Sequence, residues 1–290
     1  MSSRAEVITP NLLREWELPS GASSKHDRGR FVLVGGARRA PGAAALAGVA
    51  ALRVGAGRLT MAVAESVAVG LAIAVPESGV IGLSETPTGS VRGIRHDQLT
   101  DELQRGHAVV IGPGLDDPAE TAALLRALVP DIGGDARIVL DAYALGVLAG
   151  VADDLTAWRG RLVLTPNRAE AAWLLGREIE DHVADLGEIA ERYGAVVSCF
   201  GHVAAPDGRL WQEGSGQAGL GTSGSGDVLA GAIGGLLARG ASLEQAACWG
   251  THLHAAAGDR LAARIGPTGF LARELVAELP TVLLELGQRV

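Results

Sequence analysis

Short runs of consecutive apolar residues recur along the chain, at Phe31–Val34, Arg58–Val63, Ala108–Ile111, Arg137–Leu140, Arg161–Leu164 and Ala195–Ser198. Apolar side chains on successive rather than alternate positions suit strands covered on both faces. Helix-like segments lie between them, at Gly42–Val54, Pro118–Val129, Ala142–Ala149, Arg168–Leu175 and Val183–Tyr193. This strand–helix order predicts an α/β fold, a parallel sheet with helices on both faces. A hairpin is expected at His202–Ala205 and Arg209–Gln212, turning on Pro206-Asp207-Gly208. After Gly226 the chain reads as helix, at Val228–Arg239, Leu243–Ala263 and Leu271–Leu286. With no linker, repeat or low-complexity segment, one domain over residues 1–290 is expected, with residues 1–20 peripheral.

Composition narrows the function classes. The net charge of −8 comes without a basic stripe, which argues against nucleic acid or a membrane surface as partner. The longest uncharged stretches, Ala40–Leu52 and Ser66–Pro76, fall short of the roughly 18–20 apolar residues of a bilayer span. Charges and prolines interrupt the first thirty residues, so no export signal is expected there. Two cysteines, Cys199 and Cys248, make neither a disulfide framework nor a zinc site, which fits a reducing, cytoplasmic compartment. The 41 glycines are about twice average usage, so helices are expected to pack closely through Ala and Gly.

In open parallel sheets ligands sit outside the carboxyl ends of the strands, so the residues there carry the candidate chemistry. Gly112-Pro113-Gly114 brings backbone close to a ligand or forms a plain turn. Asp141 positions a ligand or metal, or caps the following helix. Asn167 donates to a ligand, or forms a capping box with Glu170. The fourth candidate is the most specific: Gly219–Asp227, rich in Gly, Thr and Ser, runs straight into an apolar helix. Its N–H groups at the positive end of the helix dipole form an anion hole suited to phosphate. Asp227 in that first turn is placed to take a proton from an attacking hydroxyl, a kinase-like arrangement. The Walker and GxGxxG patterns are absent, and His252 and His254, two apart on a helix, point to different sides. Lys25 is the only lysine, so a phosphate clamp elsewhere must use Arg, backbone amides or metal.

An ordered set of motifs resembles the ADP/ATP-dependent NAD(P)H-hydrate dehydratases of the ribokinase-like superfamily, from about Lys25 to Pro280. It comprises Gly29–Gly36, Pro41–Ala44, Ala51–Gly57, Ile111–Leu115, Leu140–Ala142, Leu164–Pro166 and Gly224–Gly231. The resemblance implies a ribokinase-like three-layer α/β/α sandwich with a mostly parallel sheet, and a homo-oligomer. It also implies a repair reaction: the hydroxyl of the hydrated nicotinamide ring of NADHX or NADPHX is phosphorylated by ADP or ATP, and phosphate is eliminated. Asp227 would be the base, with Ala43, Gly114, Asn167 and Asp227 on the substrate. Gly224, Ser225 and Gly226, with Ser198, Cys199, Phe200 and Gly201, would hold the nucleotide, accompanied by Mg²⁺ with no separate protein metal site. The chain departs from the family twice. Asn167 stands where a His is usual, and Val197–Gly201 lacks the Lys and Thr of the usual nucleotide loop. A small-metabolite kinase and a non-catalytic nucleotide-binding relative are the alternative readings.

Overall fold

The computed structural model describes residues 5–19, 27–216 and 218–288; Lys25 lies outside them. Strand β1 (Glu6–Ile8) and helix α1 (Pro10–Glu15) precede β2 (Arg30–Val34), α2 (Pro41–Arg53), β3 (Arg58–Ala64), α3 (Glu65–Ala74) and β4 (Ser78–Leu83). Next come α4 (Asp97–Arg105), β5 (Ala108–Ile111), α5 (Pro118–Leu128), β6 (Arg137–Leu140) and α6 (Tyr143–Leu148). They are followed by β7 (Leu162–Leu164), α7 (Arg168–Leu175), α8 (His182–Tyr193) and β8 (Ala195–Cys199). A hairpin of β9 (His202–Ala204) and β10 (Leu210–Glu213) leads to α9 (Ser225–Ala238), α10 (Leu243–Ile265) and α11 (Ala272–Glu285).

The strands form one sheet in the order β1-β10-β9-β8-β7-β6-β5-β2-β3-β4. Every pair is parallel except those of β9, which runs antiparallel to β8 and β10. Successive strand residues alternate between two cores. Phe31, Leu33, Val110, Val139 and Val163 face a layer containing α2, α9, α10 and α11, while Val32, Val34, Val109, Ile111 and Leu140 face α4 to α8. Burial on both faces is what the uninterrupted apolar runs encode, each buried Val, Leu or Ile contributing about 1.5–3 kcal/mol.

Helices α2 and α9 meet through small residues: a Cβ on Gly231 would stand 2.1 Å from the Ala47 carbonyl oxygen. Gly234 allows α9 to lie directly on Phe31 and Val110. This contact fixes the start of α9 over the sheet centre.

The chain builds β2, β3 and β4 outward in one direction and then places β5 on the other side of β2. That reversal opens a crevice at the carboxyl ends of β2 and β5, the place where open parallel sheets take their ligands. Register makes the crevice a continuous row, because Val34, Ile111, Leu140, Leu164 and Val197 are consecutive partners across five strands. The residues that follow them, Gly35, Gly112, Asp141, Thr165 and Ser198, therefore form one line.

Among the strands and α-helices, five were not expected from the sequence pattern: β1, α1, α3, β4 and α4. The edge strand β4 carries Gly79 and Gly82 and is mostly half-buried. Helix α3 is apolar almost throughout yet buries only Leu71, so it has no polar face to mark its period. The first residues add the outermost strand, β1 on β10, and seat Leu13 and Leu18 fully in the core.

Candidate functional site

At the switch point the backbone itself is the wall. Gly36 N–H donates to the Pro113 carbonyl and Ala37 N–H to the Gly114 carbonyl, each at 2.8 Å. A Cβ on Gly35 would stand 2.1 Å from the Pro113 carbonyl oxygen, and one on Gly112 1.8 Å from that of Asp141. Gly114 has a positive φ of 75°, and its Cβ would come within 2.3 Å of the Ala40 carbonyl oxygen. These glycines lock the loop after β2 to the turns after β5 and β6. Gly114 is thereby held against the residues that open α2, in whose first turn Ala43 lies half-buried.

Asp141 continues this row. It does not cap α6, whose first turn has no side-chain capping bond. Its buried carboxylate instead accepts a 2.8 Å hydrogen bond from Thr165 Oγ1 at the end of β7, while Ala142 takes a positive φ of 50° to turn the chain away. The capping-box reading of Asn167 holds: its Oδ1 accepts from Glu170 N–H at 3.0 Å, and Glu170 Oε2 accepts from Asn167 N–H at 2.8 Å. Asn167 itself is exposed.

Across from this row, α9 begins at Ser225 after Gly224, which has a φ of 88° and is seated so tightly that a Cβ would meet Leu46 Cδ1 at 2.6 Å. Ser225 N–H donates to the Thr222 carbonyl at 3.2 Å, whereas Gly226, in the first turn where N–H groups lack an intrahelical acceptor, is exposed with open space where a Cβ would be. Ser225 is buried and shares a 2.7 Å hydrogen bond with His254 Nε2 of α10; burial pushes that imidazole down to about 4, so it stays neutral.

Asp227 occupies the same turn, half-buried, its carboxyl pushed up to about 6, first by burial and then by the charge of Glu170. Asp141 is pushed up to about 8, mainly by burial and next by the charge of Asp227. The three acids thus repel one another across the crevice, and two of them separate near neutrality. Asp227 is the more readily ionised of the two, whereas Asp141 holds its proton to higher pH.

The remaining expected residues lie on β8 and its turn. Ser198 turns its hydroxyl into the core, 2.8 Å from Thr251 Oγ1. Cys199 is buried, its thiol pushed up to about 12 by desolvation. Phe200, 70% exposed, and Gly201 form a tight turn with positive φ values of 47° and 75°. Of these four, only Phe200 and Gly201 present surface to a ligand. Reasoning from sequence left Glu170 and His254 out of the site. Glu170 had a sufficient structural role as a cap, and the Ser225–His254 pair joins residues 29 apart through helix packing that no local spacing announces. His252 is likewise structural, bonded to Glu213 at 2.7 Å. Among the described residues no group of three His, Cys, Asp or Glu side chains can hold a metal by itself.

A switch-point crevice, a glycine-preceded helix start and a carboxylate in the first turn of that helix coincide with a family-wide match. The family model for NAD(P)H-hydrate dehydratases covers residues 31–281. The chain belongs to this family. It is 45% identical over 97% of its length, and 96% of the relative's, to a protein named ADP-dependent (S)-NAD(P)H-hydrate dehydratase from Xanthomonas campestris. Solved structures agree in fold. A ribokinase-like superfamily protein from Enterococcus faecalis superposes with a TM-score of 0.86 at 25% identity, covering 98% of this chain and 97% of that one. The ADP/ATP-dependent NAD(P)H-hydrate dehydratase of Bacillus subtilis, co-crystallised with ATP and Mg²⁺, superposes with a TM-score of 0.80 at 24% identity, covering 98% and 99%. The dehydratase-family fold of this chain is accordingly ribokinase-like, with helices on both sides of a mostly parallel sheet.

Proposed function

We propose that this chain is a single-domain (S)-NAD(P)H-hydrate dehydratase that uses ADP or ATP. The observation that carries the reading is the 45% identity, over almost the whole of both chains, to a relative bearing that name. The chemistry of the crevice agrees with it. The hydrated nicotinamide ring lies between Ala43, Gly114 and Asn167 on one side and Asp227 on the other. Asp227 takes the proton of the ring hydroxyl as its oxygen attacks the terminal phosphoryl group of the nucleotide, whose bridging P–O bond breaks. Phosphate then departs with the former hydroxyl oxygen, the ring C–O bond breaks, the adjacent ring carbon loses a proton, and the double bond returns. The products are NAD(P)H, phosphate, and ADP from ATP or AMP from ADP.

Gly224, Ser225 and Gly226 receive the nucleotide phosphates at the start of α9, and the Phe200–Gly201 turn offers its exposed ring to the base. Ser198 and Cys199 act only from beneath, as packing. Mg²⁺ is usually held by one or two carboxylates together with substrate phosphates. The donor set fits such an ion: no protein cage exists among the described residues, and Glu170 lies near enough to Asp227, in the first turn of α9, for its charge to act there. Glu170 would hold it together with the nucleotide phosphates, and it would neutralise phosphate charge during transfer.

No helix among the described residues is long and apolar enough to cross a membrane, and Cys199 and Cys248 are both buried and unpaired, which supports a reducing, cytoplasmic setting. Val69 and Ile73, 74% and 77% exposed on α3, support assembly into a homo-oligomer.

The test is incubation of the purified chain with NADHX, Mg²⁺ and either ADP or ATP, following the return of reduced-nicotinamide absorbance and the release of phosphate. Nucleotide-dependent recovery is expected. Accumulation of a stable phosphorylated product would mean a kinase, and nucleotide binding without turnover a non-catalytic relative.

A further inference from the structure

The trough between α6 and α7 shares only Glu170 with the chemistry proposed for the crevice. It encloses about 630 Å³, and its walls include Pro118, Tyr143, Gly146 and Trp173. Two large aromatic side chains are left in solvent there, Tyr143 at 42% and Trp173 at 59% exposure. The Trp173 ring stands beside Gly146, its Cζ3 3.7 Å from where a Cβ would be, so the missing side chain keeps the face of α6 open next to the ring.

The place of the trough restricts what can fill it. The helices that line it, α5, α6 and α7, all start at the carboxyl edge of the sheet, after β5, β6 and β7. Ala142, which follows Asp141, and Glu170, whose charge acts on Asp227, both line it as well. The trough is therefore continuous with the carboxylate cluster. It lies in the helical layer opposite α9 and α10, away from the anion hole that receives the phosphate donor.

A dinucleotide carries two flat ring systems joined through a pyrophosphate. With the hydrated ring at Asp227, the second must lie elsewhere, and an apolar trough bordered by aromatic faces suits a flat heterocycle. We infer that the trough between α6 and α7 binds the adenine ring of the dinucleotide substrate, stacked against Trp173 and Tyr143. This rests on the dehydratase reading. Trp173 is then a specificity residue that separates whole dinucleotides from shorter nicotinamide hydrates.

The experiment compares turnover of NADHX with that of the hydrate of reduced nicotinamide mononucleotide, which lacks the adenosine half, at saturating ATP and Mg²⁺. The wild type is expected to show a KM about tenfold lower for the dinucleotide, the effect of stacking one base. Trp173→Ala is expected to raise the KM for NADHX to that of the short hydrate at unchanged kcat, leaving the short substrate unaffected. Trp173→Phe restores most of the difference, and Gly146→Val, which fills the trough, reproduces the loss. Equal KM values for the two substrates in the wild type, or a Trp173→Ala effect of the same size on both, overturn the inference. So does a Trp173→Ala variant whose only change is a smaller assembly in sedimentation, which gives the trough to a second copy of the chain. If the wild type turns over neither hydrate, the dehydratase reading falls, and this inference with it.

Discussion

The two helical layers cover the same sheet but are packed in opposite ways. In the α2–α9 layer glycine is a necessity: a Cβ would stand 2.1 Å from the Ala47 carbonyl oxygen at Gly231 and 2.7 Å from Ala51 Cα at Gly235. In the α6–α7 layer Gly146 has its nearest neighbour at 3.7 Å, and the large aromatics beside it face solvent. Asp227 is mounted on the first layer and the apolar trough opens in the second. Proton transfer tolerates little displacement of the base, whereas stacking against a flat ring tolerates more. The layer that carries Asp227, the proposed base, is the one whose backbones are in direct contact.

The largest effect expected on the tight side is chemical. Asp227→Asn keeps the size and the first-turn position but removes the base, and is expected to lower kcat by about 10²–10⁴-fold without loss of thermal stability. Thermal melts beside initial rates check this; retained activity would remove Asp227 from the reaction. Next is packing. Gly231→Ala drives a methyl into the Ala47 carbonyl, and the helices must part. A loss of about 3 kcal/mol is expected, seen as a Tm lower by roughly 5 °C. An unchanged Tm would mean that the two layers do not differ as described.

Titration sharpens the comparison further. As the proposed base Asp227 must be ionised to act, and its carboxyl is pushed up to about 6, so kcat/KM is expected to fall about tenfold per pH unit below that value. A profile flat down to pH 5 would contradict it. Asp141 bears on stability. Its folded value of about 8 lies above its ordinary 3.8, so the folded state holds the extra proton between those values, and stability falls as pH rises through that window. Asp141→Asn keeps an acceptor for Thr165 and removes the charge. Its Tm is expected to exceed that of the wild type at pH 9 by several degrees and to approach it at pH 4, as read by scanning calorimetry.

How much of this was legible in the sequence differs between the parts. The six central strands are continuous apolar runs because both faces are buried, and their bounds agree with expectation to within a residue or two. Elements that cover only one face or end the sheet, α3 and β4, gave no such pattern. The site shows the same division. Gly112–Gly114 and Gly224–Asp227 announce themselves by composition, because a close backbone approach excludes side chains. Asp141 looked like a cap, and only the register that sets Leu140 beside Leu164 reveals that its carboxylate is bonded to Thr165. Likewise, the repulsion among Asp141, Glu170 and Asp227 exists only after three distant segments meet.

The smallest expected effect is the sharpest test of the contrast between the layers, because it applies the same substitution to both. Gly146→Ala places a methyl 3.7 Å from Trp173, at ordinary van der Waals distance, in the middle of α6. Nothing must move, and alanine forms helix better than glycine by about 0.8–1 kcal/mol. A small gain in stability is therefore expected by denaturant titration, opposite in sign to Gly231→Ala. If both glycines respond with a loss of similar size, α6 and α7 are as closely packed as α2 and α9, and the trough is not an open surface awaiting a ring.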